Sequence, residues 1–255
     1  MTTVNENLLQ SLLPGEILAV QVGLSRTAIL AETDDGIRCG LAATLSNPDF
    51  DHHHRPSVRN AGHLHEVNYI DLAGLIESPS FTEVSIGLAT INALLPREPA
   101  QWVDLNAEDY LAQWGVNKNI VVVGHFPFIK RLKPLAKKLW VLELSPKDDD
   151  LPAYMAPEII PQADLVAITA TTLINKTFQS LIDLCRTDAR VILIGPSTPL
   201  SPALYHHGIN VLSGAIVTNP EKALRGIGQG ISLQQLRQEG IVRLVTMKKD
   251  QANGK

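Results

Sequence analysis

The chain is expected to fold as a small α+β domain followed by a doubly wound, Rossmann-like parallel-sheet α/β domain. Three observations predict this. From residue 119 onward, short continuous aliphatic runs recur between helix-length segments, the pattern of parallel strands covered on both faces. Before Pro96, three β-like runs separated by turn residues give way to helical periodicity, the pattern of a small antiparallel sheet with helices. Between the two patterns stands Pro96-Arg97-Glu98-Pro99, which divides the 255 residues into domains 1–98 and 99–255.

Residues 5–13 place apolar side chains at helical spacing until Pro14-Gly15 stops them. The β-like runs are 16–23, 27–32 and 36–43, and Asp34-Asp35-Gly36 between the last two is a hairpin signal. Residues 46–65 are polar, carry Pro48 and Pro56, and read as a long loop, of a kind often functional or mobile. A helix over 69–77 precedes a second that opens on Ser80-Phe81-Thr82-Glu83. That tetrad is a capping box, in which Ser80 and Glu83 would satisfy each other's backbone donors. Phe81, Val84, Leu88, Ile91 and Leu95 then fall on one core-facing stripe. In the second domain the strands are read at 120–123, 139–142, 165–168, 191–194 and 209–212. Segments 127–138, 176–185 and 202–207 suit crossover helices, 244–247 adds a last strand, and the polar tail 248–255 is expected to fray.

A hydrophobic fraction of 45% against 19% charged residues is enough for a sizeable core. The net charge of −4 and the lack of a basic run leave no footprint for nucleic acid or an anionic membrane surface. Aliphatic runs such as 120–123 are too short to span a bilayer, and MTTVNENLLQ has neither the basic nor the apolar region of a signal peptide. Cys39 and Cys185 are the only cysteines, which is no disulfide framework and points to a reducing interior. The expectation is a cytoplasmic protein, with a homodimer as the base-rate assembly.

In open α/β sheets ligands bind outside the carboxyl ends of the strands, so the residues following each strand carry the functional reading. The first strand leads into Gly124-His125-Phe126-Pro127, a tight turn that aims helix N-terminal amides at an anion. It is not G-x-G-x-x-G, which argues against ordinary NAD binding. Glu143, about 20 residues beyond Gly124, stands where such folds place a carboxylate on a ribose, though a solvated loop acid has the same spacing. Behind the third and fourth strands come Thr169, Thr171, Thr172 and Asn175, and then Gly195, Pro196, Ser197, Thr198 and Ser201. Capping by Asn175 and Ser201 explains one polar residue per loop, and a stiff hydroxyl-rich loop suits phosphate or carboxylate oxygens. Ser85 and Asn92 share a helix face with Ala89 between them, a stripe that suits either a ligand and domain contact or a solvated face. His125 sits at the site as an acid, a base or a ligand group. His52-His53-His54 with His63 and His65 could bind a transition metal, but no spacing fixes a geometry and a solvated loop is the favoured reading.

Four segments also carry a family resemblance: 85–93, Gly124-His125-Phe126-Pro127, Thr171-Thr172-Leu173-Ile174-Asn175, and the run from Gly195 to Pro202. Together they resemble the putative heavy-metal chelation proteins, a family with an enolase N-terminal-like domain before an atypical Rossmann-like one. The resemblance implies a ligand cleft between the domains, lined by these segments, and some likeness to Rossmann-type methyltransferases. It suggests heavy-metal chelation, or condensation or hydrolysis of pterin-, flavin- or siderophore-like molecules. Ala170 stands where the family pattern has glycine, which puts the local loop shape in question. Three functions therefore compete: an enzyme with His125 as its catalytic residue, a carrier of a metal or metal chelate, and a binder of an adenosyl cofactor. The sequence names no particular metal or cofactor, and the expected partner is a small molecule or metal chelate.

Overall fold

The computed structural model describes residues 2–47, 58–103 and 106–249. In chain order its first elements are α1 (Val4–Gln10), β1 (Glu16–Val22), β2 (Arg26–Thr33), β3 (Gly36–Ala43), α2 (Tyr69–Gly74) and α3 (Phe81–Leu94). Next come β4 (Trp102–Val103), α4 (Ala107–Trp114), β5 (Asn119–Val123), α5 (Ile129–Leu132), β6 (Lys138–Glu143) and β7 (Leu151–Pro152). Then follow α6 (Ala156–Ile159), β8 (Leu165–Thr169), α7 (Thr171–Ile174), α8 (Phe178–Ile182) and β9 (Arg190–Ile194). Last are β10 (Val211–Val217), α9 (Pro220–Gly228), α10 (Leu233–Gln238) and β11 (Val242–Lys248). Among the described residues no helix is long and apolar enough to cross a membrane.

The chain gathers into two compact units. One comprises Met1–Glu98, Pro196–Ala203 and Gly214–Leu244, and the other Pro99–Gly195, Leu204–Ser213 and Val245–Lys255. The break expected between Glu98 and Pro99 coincides with a unit edge. Segments 196–203 and 214–244, read from the sequence as part of the second domain, pack instead within the first unit.

In the first unit, β1, β2 and β3 form an antiparallel sheet in that order, with Thr33 paired to Gly36 across the Asp34-Asp35 turn. Alternation along β2 sends Ala28 and Leu30 to one face, where they meet Cys39 and Leu41 of β3 and Ala223, Ile227 and Leu236 of α9 and α10. α3 lies against β3 so closely that a Cβ on Gly40 would stand 2.1 Å from the Ala89 carbonyl oxygen. On its other side Gly87 meets Ile76 N, where a Cβ would stand at 2.3 Å. α3 is thus buried nearly all round rather than along the single stripe expected, which its small residues permit. Its capping box is only half made. Ser80 Oγ accepts the Glu83 N–H at 3.5 Å, but the Glu83 carboxylate turns to Arg59 and Ser78 instead.

The larger sheet has eight strands in the order β4-β11-β10-β9-β8-β5-β6-β7. β5 pairs in parallel with β6 and β8, β8 with β9, β9 with β10, and β6 with β7. Counted from β5, the run β7-β6-β5-β8-β9-β10 is the 3-2-1-4-5-6 order of doubly wound sheets. The winding direction reverses between β5 and β8. Ile120, Val122, Ala167, Ile192 and Ile194 of its strands share a core with Tyr110 and Leu111 of α4. The last parallel strand begins at Val211, later than expected, because Asn210 Oδ1 accepts the Val191 N–H at 2.7 Å ahead of it.

Candidate functional site

β5 ends at Val123, and Gly124 follows with φ +103°. A Cβ here would be strained and would stand 3.2 Å from the Phe126 ring and the Thr169 side chain, so the turn requires glycine. The turn sets the His125 backbone N–H onto Glu143 Oε1 at 2.6 Å, while Glu143 Oε2 accepts the Leu144 N–H at 3.0 Å. Each carboxylate oxygen keeps a lone pair for a ligand hydroxyl. The His125 ring is half exposed, and its Nδ1 lies 3.0 and 3.2 Å from the two carboxylate oxygens of Asp150. The Asp150 side chain is 6% exposed, and its Oδ2 also accepts the Lys147 N–H at 3.3 Å.

β8 supplies the facing wall. Thr169 Oγ1 and Thr171 Oγ1 lie 3.0 Å apart and share a hydrogen bond, and Thr172 Oγ1 donates to the Thr169 carbonyl at 2.7 Å. Asn175 Oδ1 accepts the N–H and the hydroxyl of Thr177 at 3.2 and 2.7 Å; Asn175 closes α7, and the N-cap of α8 is Thr177 rather than the Asn175 expected. These residues, with Leu142, Leu144, Tyr154, Pro157 and Leu181, enclose about 560 Å³, a size that suits a small organic molecule. The cavity opens beyond the carboxyl ends of β5, β6 and β8, where the sheet reverses its winding. No Lys or Arg is among its described lining residues.

Of the residues singled out by sequence, Gly124, His125, Phe126, Glu143, Thr169, Thr171, Thr172 and Asn175 line this cavity, all within the second unit. Ser85, Asn92, Gly195, Pro196, Ser197, Thr198 and Ser201 do not line it. Asn92 donates to the carbonyls of Leu41 and Ser197, and Ser197 Oγ accepts the Ala43 N–H at 2.8 Å, which ties segment 196–203 to β3 and α3. Ser85 Oγ donates to the Phe81 carbonyl and accepts the Leu45 N–H, Ser201 Oγ accepts the Ala203 N–H, and Gly195 N donates to the Ser213 carbonyl. Thr198 Oγ1 is buried without a partner among the described residues. Sequence reasoning missed Asp150, Tyr154 and Thr177. Asp150 closes the acidic run Asp148-Asp149-Asp150, which reads as solvated surface, and only the β6–β7 connection brings it to His125.

Residues 106–246 match the profile of the putative heavy-metal chelation family, and residues 6–95 match a second profile of the same description. The chain belongs to that family. It is 27% identical over 224 residues to an uncharacterised protein of Methanocaldococcus jannaschii, covering 82% of each chain. It also resembles the crystal structure of a DUF364-family protein of unknown function from Desulfitobacterium hafniense. That match has a TM-score of 0.79 and 26% identity over 96% of this chain and 98% of the other. A second family member of unknown function, from Pyrococcus horikoshii, shares the fold with a TM-score of 0.82, 21% identity and the same coverage.

The family description names a heavy metal, and the donor atoms on hand do not fit a bare ion. Among the described residues no three His, Cys, Asp or Glu side chains are grouped to hold one. Glu143 and Asp150 already accept backbone N–H groups. Burial pushes the Cys39 thiol up to about 12, and burial with the nearby Asp183 charge pushes Cys185 up to about 11, so neither offers a ready thiolate. His63 and His65 lie against Glu66 on the surface, and His52, His53 and His54 lie outside the described residues.

Proposed function

We propose that the second unit binds an organic small molecule of the nucleoside class that carries no phosphate, such as an adenosyl compound. The observation that supports this most is a strand-end carboxylate, Glu143, in a switch-point cavity whose described lining holds no Lys or Arg. Phosphate recognition relies on Lys, Arg or a glycine-rich amide cradle. Here bulky His125 and Phe126 follow Gly124, and the net charge of the lining does not favour an anion. A carboxylate suits vicinal ribose hydroxyls, and Leu142, Leu144 and Tyr154 suit a flat ring. A metal held inside an organic chelator is the second reading, supported by the family description and by the poor fit of a bare ion.

Calorimetric titration separates these readings. Adenosine and S-adenosylhomocysteine are expected to bind, AMP and NAD to bind at least about tenfold more weakly, and Glu143→Ala to weaken adenosine by about tenfold or more. AMP binding as tightly as adenosine would reject the phosphate-free class. Stoichiometric uptake of free Zn²⁺ with flat nucleoside titrations would return the site to metal binding.

A further inference from the structure

We propose that Asp150 is a positioning residue that makes His125 a general base toward a hydroxyl or water oxygen held in the cavity. The proposal rests on the reading above only in taking this cavity as the ligand site. Nδ1 of His125 faces both Asp150 oxygens, at 3.0 and 3.2 Å. A carboxylate only accepts, so the proton of the neutral ring resides on Nδ1 and the lone pair on Nε2. Nε2 has no protein partner among the described residues, and His125 lines the cavity.

The rest of the residue is held as a base must be. Its backbone N–H is fixed on Glu143, and the turn before it on Gly124. The side chain of the acid is 6% exposed and fixed by Lys147 N–H. His63 and Glu66 form the contrasting case, with both side chains more than half exposed. A base oriented by a third group is the arrangement that activates hydroxyls. In the step, the O–H proton passes to Nε2, and the electron pair stays on oxygen, which becomes the nucleophile. Asp150 remains ionised and balances the imidazolium. The reverse transfer returns the proton.

Nitrogen-15 NMR of the imidazole rings in the full chain tests this without any ligand. The His125 ring, assigned by its loss in His125→Gln, is expected in the Nδ1–H tautomer. Asp150→Ala removes both acceptors facing Nδ1, and the ring is then expected to move toward the Nε2–H tautomer that a free imidazole favours. A wild-type ring in the Nε2–H form, or one that Asp150→Ala leaves unchanged, overturns the proposal. The wild-type spectrum decides alone if the variant does not fold. Adenosine titrated separately keeps the two claims apart. An Nε2–H ring in a protein that binds adenosine removes only the base, and an Nδ1–H ring with flat titrations removes only the nucleoside.

Discussion

At the scale of single residues, Glu83 shows how far a side chain can travel from its local script. Ser80-x-x-Glu83 is spaced for a reciprocal cap, and the Ser80 half is made. Arg59, brought from 24 positions away, offers Glu83 a backbone N–H at 2.7 Å and its guanidinium at 3.1 Å, and Ser78 adds its hydroxyl. No local spacing contains that competition. Burial would raise the Glu83 pKa, but the hydrogen bonds from Arg59 and Ser78 outweigh it and hold the carboxyl below its ordinary 4.5. A depressed carboxylate stabilises the fold fully above the unfolded value and loses that contribution as pH falls through the folded one. Glu83→Ala is therefore expected to cost about 1–3 kcal/mol near neutral pH, by leaving the Ser78 hydroxyl and Arg59 N–H without an acceptor. Urea melts of both proteins between pH 7 and pH 3 check it, at values bracketing that 4.5. A difference that persists undiminished at the acid end would show that packing, not the ionised carboxylate, is at stake. His125 was legible in the same sequence because its place depends only on where β5 stops, whereas Asp150 depends on how the chain returns after β6.

At the scale of elements, backbone approach decides what substitution is tolerated. Gly40 of β3 and Gly74 at the end of α2 look equivalent in sequence, yet their surroundings are opposite. A Cβ on Gly40 would stand at 2.1 Å from one backbone atom of α3 and at 2.2 Å from another, and neither can move without parting the strand from the helix. Gly40→Ala is expected to cost about 3 kcal/mol or more, the upper end of overpacking. Gly74 has φ −60° and nothing within 4 Å of its Cβ position, so Gly74→Ala should be neutral or stabilise by up to about 1 kcal/mol. Paired denaturant melts test the contrast, and equal midpoints for the two variants would contradict it. Gly124→Ala sits between them, with about 1–2 kcal/mol of left-handed strain and a displaced His125 turn. Its informative readout is adenosine affinity. β5, β8 and β9 could be read because each carries an unbroken aliphatic run, whereas β7, two residues ending in Pro152, offers none. β10 was cut short because Ser213-Gly214-Ala215 interrupts the run, though the strand continues through Val217. α9 and α10 escaped a reading centred on aliphatic runs, although Asn219 before Pro220 and the Ser232–Gln235 capping box both mark helix starts.

At the scale of the whole molecule, chain order and compact units part company. The sequence changes character at Pro96 to Pro99, and a unit edge lies there, but the first unit also recruits 196–203 and 214–244. The reason lies in its sheet. α3 covers one face of β2 and β3, while the other presents Ala28, Leu30, Cys39 and Leu41, apolar on alternate positions. Val217, Ala223, Ile227, Leu236, Ile241 and Val242 complete that second core layer, and all of them come from the far end of the chain. A three-stranded sheet with one face bare exposes a contiguous apolar patch of the kind that drives association. A fragment of residues 1–98 is therefore expected to associate or to melt without cooperativity, despite carrying every strand of its sheet. Joining 214–244 to it through a Gly/Ser linker supplies the missing layer and should restore a cooperative transition. Circular dichroism melts and sedimentation of the two fragments make the comparison. If residues 1–98 alone unfold cooperatively as a monomer, the α9 and α10 layer is an accessory and the first unit ends where the sequence pattern does.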